Sequence, residues 1–248
     1  MYSRNEYFTL DFYDKLINIV TKSICVKNYQ NHKTGLILRH DVDLSIDLAY
    51  KFSRIEKKNS KMSTYYILMT SDLYNPFSNG SKKIIKSMLD EGFEIGLHFD
   101  PTVYGDISEK ELEEKFYNEI DIFESVFNFK IQSYSLHNLS INGESLNFKG
   151  IINAYNTDIF SDECYISDSS FSFRGKDAIK FIKKSENKLV QFLTHPAQYF
   201  SQGEVTYEKA MNVIINNYYK KFDKSFQLNR IYSKQKSGYH IKINGDLW

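Results

Sequence analysis

The stretch Gly35-Leu36-Ile37-Leu38-Arg39-His40-Asp41-Val42-Asp43 decides how the chain reads. Gly35 to Arg39 is a short, nearly continuous apolar run, which suits a strand buried on both faces of a parallel sheet. The Asp-x-Asp that follows then lands at the strand's carboxyl end, where ligands and catalysis sit in parallel α/β folds. Two carboxylates at that spacing need not share a role. One binds a metal while the other takes a proton from water. A divalent ion lowers the pKa of bound water from about 15.7 to roughly 7, and general acid–base help adds about 10²–10⁴ in rate.

Outward from this motif, helical and extended patterns alternate. Leu44 to Lys57 has helical spacing, with Ile46, Ala49, Tyr50 and Ser53 on one side. Ser63 to Met69 reads as a second strand, and Ser81 to Glu91 as a helix capped by Ser81 and stopped by Gly92. Phe93 to Leu97 is a third strand, and the capping box Ser108 to Glu111 opens a helix to Asn128. Strands are further expected at Ile131 to Leu136, Ala154 to Ile159 and Leu189 to Thr194, with an amphipathic helix from Tyr207 to Phe222. Such alternation predicts parallel βαβ units in one α/β domain.

Four of the six histidines sit at the ends of these apolar strands: His40, His98, His137 and His195. Imidazole with carboxylate suits zinc or another first-row divalent ion, and His98 and His137 are the natural nitrogen donors to join an aspartate. Pro101 and Pro196 stand beside Asp100 and His195, where a fixed φ stiffens the loop. His40 has three readings: it orients Asp41, contacts substrate, or is a satisfied core histidine. His32 and His240 lie in polar segments and read as surface.

Composition narrows the partners. With 32 basic and 31 acidic residues the net charge is +1, which lacks the footprint of a nucleic-acid binder. Cys25 and Cys164 lie far apart, so neither a disulfide framework nor a thiolate zinc site is indicated. No long uncharged apolar run occurs and the first residues are polar, so a cytoplasmic protein without a membrane span is expected. Aromatic residues reach 16%, with 19 Tyr and 19 Phe, enough to build a large core or to line a sugar pocket.

From about residue 34 to about residue 200, these motifs resemble the polysaccharide deacetylase superfamily, the NodB-homology or carbohydrate esterase family 4 fold, in its divergent WbmS-like branch. The resemblance rests on Leu38-Arg39-His40-Asp41-Val42-Asp43, Ser63-Thr64-Tyr65-Tyr66, Gly92-Phe93-Glu94-Ile95-Gly96-Leu97-His98 and Leu193-Thr194-His195. It implies a single-domain α/β fold, a distorted (β/α)7 barrel, with a helical C-terminal extension. Asp41 is then the base, Asp43 and His98 bind the metal, and His195 is the acid. Asp168 lies where the family often places an aspartate orienting that histidine.

The sequence departs from the family at two points. The position four residues after His98, usually a second metal histidine, is Thr102. His137 is therefore the expected third ligand, with Asp100 as the alternative. The arginine that usually steadies the base has no clear counterpart, and Arg39 or Arg174 substitutes. The implied activity is metal-dependent removal of an N-acyl group, acetyl first, from a sugar or surface-polysaccharide precursor. Zinc is the expected cofactor, with cobalt, nickel or manganese as alternatives, and the substrate is a small molecule or glycan. The rival readings are hydrolysis of another C–N bond, a formamide or ureide, and a non-catalytic carbohydrate-binding relative.

Overall fold

The computed structural model describes residues 4–138, 146–200 and 206–227. Strand β2 (Gly35–Val42) is buried along its whole length and organises the sheet around itself. Seven further strands run parallel to it: β1 (Ser23–Ile24), β3 (Thr64–Leu68), β4 (Glu94–Phe99), β5 (Ser133–Leu136), β6 (Ile152–Asn153), β7 (Tyr165–Ser167) and β8 (Leu189–Thr194). Their order is β6-β5-β4-β3-β2-β8-β7, with β1 beside β2. Along one edge of β2, β1 pairs with Leu36 and Ile37, and β3 takes over from Arg39 to Val42. The other edge pairs with β8 from Gly35 to His40.

Among the described residues the α-helices that accompany this sheet are α1 (Arg4–Tyr7), α2 (Leu10–Asn18), α3 (Ile46–Lys58), α4 (Asn79–Asp90), α5 (Glu109–Phe127) and α6 (Ala178–Lys183). The strand–helix alternation expected of the sequence is thus observed. The Ser108–Glu111 capping box is present, and Asn128 ends α5 in the left-handed conformation. Two boundaries differ from expectation. Ser78 rather than Ser81 caps α4, because Ser78 is the extended residue whose hydroxyl reaches the backbone N–H of Ser81. The strand expected at Ala154 to Ile159 lies at Ile152–Asn153; past it the chain turns, with Asn153 and Asn156 accepting the N–H groups that close those turns.

In a strand, alternate side chains face the same side of the sheet. On one side lie Ile37, Arg39 and Asp41 of β2, with Gln191 and Leu193 of β8 beside them in register. Gln191 Nε2 donates to the carbonyl oxygens of Ala154 and Ile159, each at 3.0 Å, although these follow β6 at the far end of the strand order. Ile24, Ile37, Tyr66, Ala154 and Ile159 share one buried cluster. The sheet is therefore curled on itself into a distorted barrel. Gly96 makes room for the filling of that barrel. A Cβ there would lie 2.4 Å from Tyr66 Cε1 and 2.7 Å from the Ser133 carbonyl oxygen.

The chain divides into two compact units, Met1–Val205 and Thr206–Trp248. The second contains α7 (Tyr207–Gln227), which runs beyond the Phe222 end expected for it. No helix among the described residues is long and apolar enough to cross a membrane. His240 lies outside the described residues.

Candidate metal centre

Period-two alternation places the polar residues of β2 on two faces. Arg39 and Asp41 point into the barrel, whereas His40 points towards α2 and α3. The strand continues to Val42, so His40 and Asp41 lie within it rather than beyond its end, and His98 likewise lies within β4. His137 and His195 each follow their strands by one residue. A ladder hydrogen bond from the His137 backbone N–H to the Phe99 carbonyl, 2.8 Å, holds His137 beside β4.

These strand ends bring Asp43, His98 and His137 together, with one donor atom of each within 4.8 Å of the others. His98 Nε2 lies 3.1 Å and His137 Nδ1 3.6 Å from Asp43 Oδ1. The two imidazoles meet edge to face, with Nε2 of one 3.1 Å from Nδ1 of the other. Asp43 Oδ1 is buried without a hydrogen-bond partner. An orphaned carboxylate oxygen facing two imidazole nitrogens is costly in isolation and is a fitting donor set for zinc or another first-row divalent cation. Burial pushes the Asp43 carboxyl up, but His137 and His98 beside it prevail and hold it well below the usual carboxylate range.

Next to this set, Asp41 is held by a two-pronged ion pair: Arg39 Nε lies 3.0 Å from Oδ1 and Nη2 2.9 Å from Oδ2. Arg39 is fully buried, its guanidinium 4.2 Å from the centre of the Tyr155 ring. Ser135 Oγ also donates to Asp41 Oδ2, which lies 3.9 Å from His98 Nε2. Burial raises the Asp41 carboxyl, but the Arg39 charge, helped by His98 and His195, outweighs it and keeps Asp41 ionised. Arg174, the other candidate to steady Asp41, is exposed.

On the opposite flank, His195 Nδ1 lies 2.5 Å from Asp168 Oδ1, and the His195 backbone N–H donates to Oδ2 at 2.8 Å. Its Nε2 lies 3.9 Å from Asp43 Oδ2. Burial lowers the His195 pKa, but the Asp168 carboxylate more than reverses this and carries it up to about 9.

Asp100 and His40 have other work. Asp100 caps the turn at Pro101, its Oδ1 accepting from the Thr102 N–H at 2.9 Å and the Thr102 hydroxyl at 2.6 Å. It is not among the three clustered donors, which among the described residues are Asp43, His98 and His137. Of the three readings of His40, its surroundings fit the satisfied core histidine: the ring is 0% exposed and bonds to Glu56 and Thr194 behind the sheet. His32 is an outlying residue near Lys22.

Three neighbours escaped the sequence reading. Ser135 stands two residues before His137 on β5, so period two would have found it. Tyr155 lies in a turn with no such pattern. Glu56 on α3 looks in sequence like one more solvated helix charge, yet it is 0% exposed.

A curled parallel α/β barrel with an Asp-His-His donor set at its strand ends is the class of molecule these features define. Solved structures similar to it include a peptidoglycan deacetylase from Bacillus subtilis, 15% identical over 79% of this chain and 98% of its own, with a TM-score of 0.45. A chitin deacetylase from the fungal pathogen Colletotrichum lindemuthianum is 11% identical, covering 79% of this chain and 86% of its own, with a TM-score of 0.45. A carbohydrate esterase family 4 pseudoenzyme from Bacillus anthracis is 12% identical over 77% of this chain, with a TM-score of 0.46. This chain spans less than two thirds of that pseudoenzyme, 62% of its length. No family model matches the chain, and no curated protein does.

Proposed function

We propose that this chain is a metal-dependent hydrolase that removes an N-acyl group, acetyl in the first instance, from a sugar or surface-polysaccharide precursor. The observation that carries this reading is the flanking of one donor set by two groups of opposite character. Asp43, His98 and His137 have a carboxylate, Asp41, on one side and an imidazole held by Asp168, His195, on the other. A divalent ion held by the three donors would supply a Lewis acid for the acyl carbonyl and a water acidic enough to attack at neutral pH.

The chain's own residues do the rest. Asp41 is fixed by Arg39 and Ser135, with Oδ2 turned towards His98, and takes the proton of the attacking water. As water oxygen bonds to the acyl carbon and the C–N bond breaks, His195 Nε2 gives its proton to the departing nitrogen, which leaves as a neutral amine. Asp168 holds the ring in the orientation that presents Nε2 and stabilises its charge beforehand. The choice of an acylated sugar follows from the motif resemblance, whereas the residues themselves support metal-assisted hydrolysis.

The test is acetate release from N-acetylated sugars by the zinc-loaded protein. Asp41→Asn is expected to retain one zinc per chain and lose turnover by about 10²–10⁴. Asp43→Ala and His98→Ala are expected to lose the zinc itself. Formate or ammonia in place of acetate would move the reading to another C–N bond. A wild-type protein that binds glycans but no zinc would sink the catalytic reading.

A further inference from the structure

Behind the proposed site, on the opposite face of the sheet, lies a chain of groups that the chemistry above does not use. His40 Nε2 lies 2.7 Å from Glu56 Oε1, and His40 Nδ1 lies 2.6 Å from Thr194 Oγ1. Tyr13 also donates to Oε1, while Ser63 and Tyr65 both donate to Oε2 at 2.6 Å. His40, Glu56 and Thr194 are all 0% exposed. No solvent reaches this carboxylate–imidazole–hydroxyl chain, so it is not itself a nucleophilic centre.

Its position gives it another use. His40 and Thr194 are register partners on adjacent strands, β2 and β8. His40 immediately precedes Asp41, and Thr194 immediately precedes His195. The base-bearing and acid-bearing strands are thus tied side chain to side chain one residue below their reacting groups. Glu56 anchors the tie from α3, and Tyr13 of α2 braces it.

We propose that the Glu56–His40–Thr194 chain is a positioning clamp that sets His195 against Asp41 and Asp43, through the cross-strand bond between His40 and Thr194. The inference rests on the hydrolase reading for what His195 does, but the clamp is a statement about β2 and β8. Its signature is a dependence on the leaving group. An amine must be protonated as it departs, whereas a nitrophenolate need not be. A displaced His195 therefore slows amide cleavage and spares an activated aryl ester.

Thr194→Val keeps the volume of the side chain and removes the bond. It is expected to lower kcat on an N-acetylated sugar on the order of 10- to 100-fold, with 4-nitrophenyl acetate turnover and zinc content little changed. His40→Asn should give the same pattern, and the double variant should be no worse than either single one, since both remove one bond. Ser63→Ala, which trims a Glu56 bond outside the clamp, should leave the amide-to-ester ratio at the wild-type value. Equal losses on both substrates, or additive effects of the two substitutions, would overturn the clamp. Carbethoxylation of His195 by diethyl pyrocarbonate, followed by peptide mass, gives a readout without turnover. It should run faster in Thr194→Val as the ring loses its fixed place, and an unchanged rate also overturns the clamp. A wild type that cleaves neither substrate refutes the hydrolase reading instead, and the clamp is then judged on the carbethoxylation rate.

Discussion

The two sides of the sheet at β2 are lined by similar polar residues in opposite states. Towards the helices, Glu56 accepts from His40, Tyr13, Ser63 and Tyr65, so both of its oxygens are fully used. Towards the barrel, Asp43 Oδ1 and His98 Nδ1 are buried without a hydrogen-bond partner. Buried polar groups are nearly always satisfied, so a cluster that is not marks a place kept open for something else. The satisfied cluster behind β2 thus holds the fold, whereas the Asp43–His98–His137 set at the strand ends keeps donor atoms open.

The sharpest way to break this contrast is to unmake the satisfied side. Glu56→Ala leaves His40 and three hydroxyl groups without their acceptor and is expected to cost about 3–5 kcal/mol in urea denaturation, the usual effect of halving a buried pair. The same carboxylate should show in the acid limb of stability. Burial raises the Glu56 pKa, but the His40 charge and the bonds from His40, Ser63 and Tyr13 outweigh it, and the net shift is downward. A depressed carboxylate stabilises the fold above its ordinary value of about 4.3. That contribution is lost as the pH falls through the lowered value. Glu56→Gln should therefore flatten the decline of the unfolding midpoint between those two values, and an unchanged acid limb would remove Glu56 from the account.

On the open side the effect appears only with ligand. Zinc at 100 times its dissociation constant should stabilise the wild type by about 2.7 kcal/mol, read as a rise in Tm, and Asp43→Ala should abolish that rise. Gly96→Ala probes the barrel filling between the two faces. The new methyl group meets Tyr66 and the Ser133 carbonyl oxygen, and a loss of about 1–3 kcal/mol is expected by denaturation. The smallest change is Asp100→Ala. Removing this cap should cost about 1 kcal/mol with zinc stoichiometry unchanged; loss of the metal would bring Asp100 into the donor set in place of a purely local role.

Much of the barrel face was legible in the sequence because strand ends advertise themselves. An apolar run followed by Asp or His locates a residue at the rim, and this is how Asp43, His98, His137 and His195 could be singled out from separate segments. The helix face was not legible, since Glu56 reaches β2 only through the packing of α3, and an acidic residue on an amphipathic helix ordinarily faces water. His40 was ambiguous for a related reason: its direction depends on the parity of β2, and one residue decides between substrate and core. Short elements were lost as well. β1 and β7, of two and three residues, are too brief to show a period.

The parity of β2 has a consequence for how such a chain can change over time. Replacing a side chain in Gly35–Val42 alters one face and leaves the other intact. Inserting or deleting a residue exchanges the two faces at once, turning His40 into the barrel and Asp41 towards the helices. Substitutions can therefore retune this strand step by step, whereas a single change of length would put the ion pair and the hydrogen-bonded core on the wrong sides together. By this argument a change of length is tolerable only in the loops at its two ends.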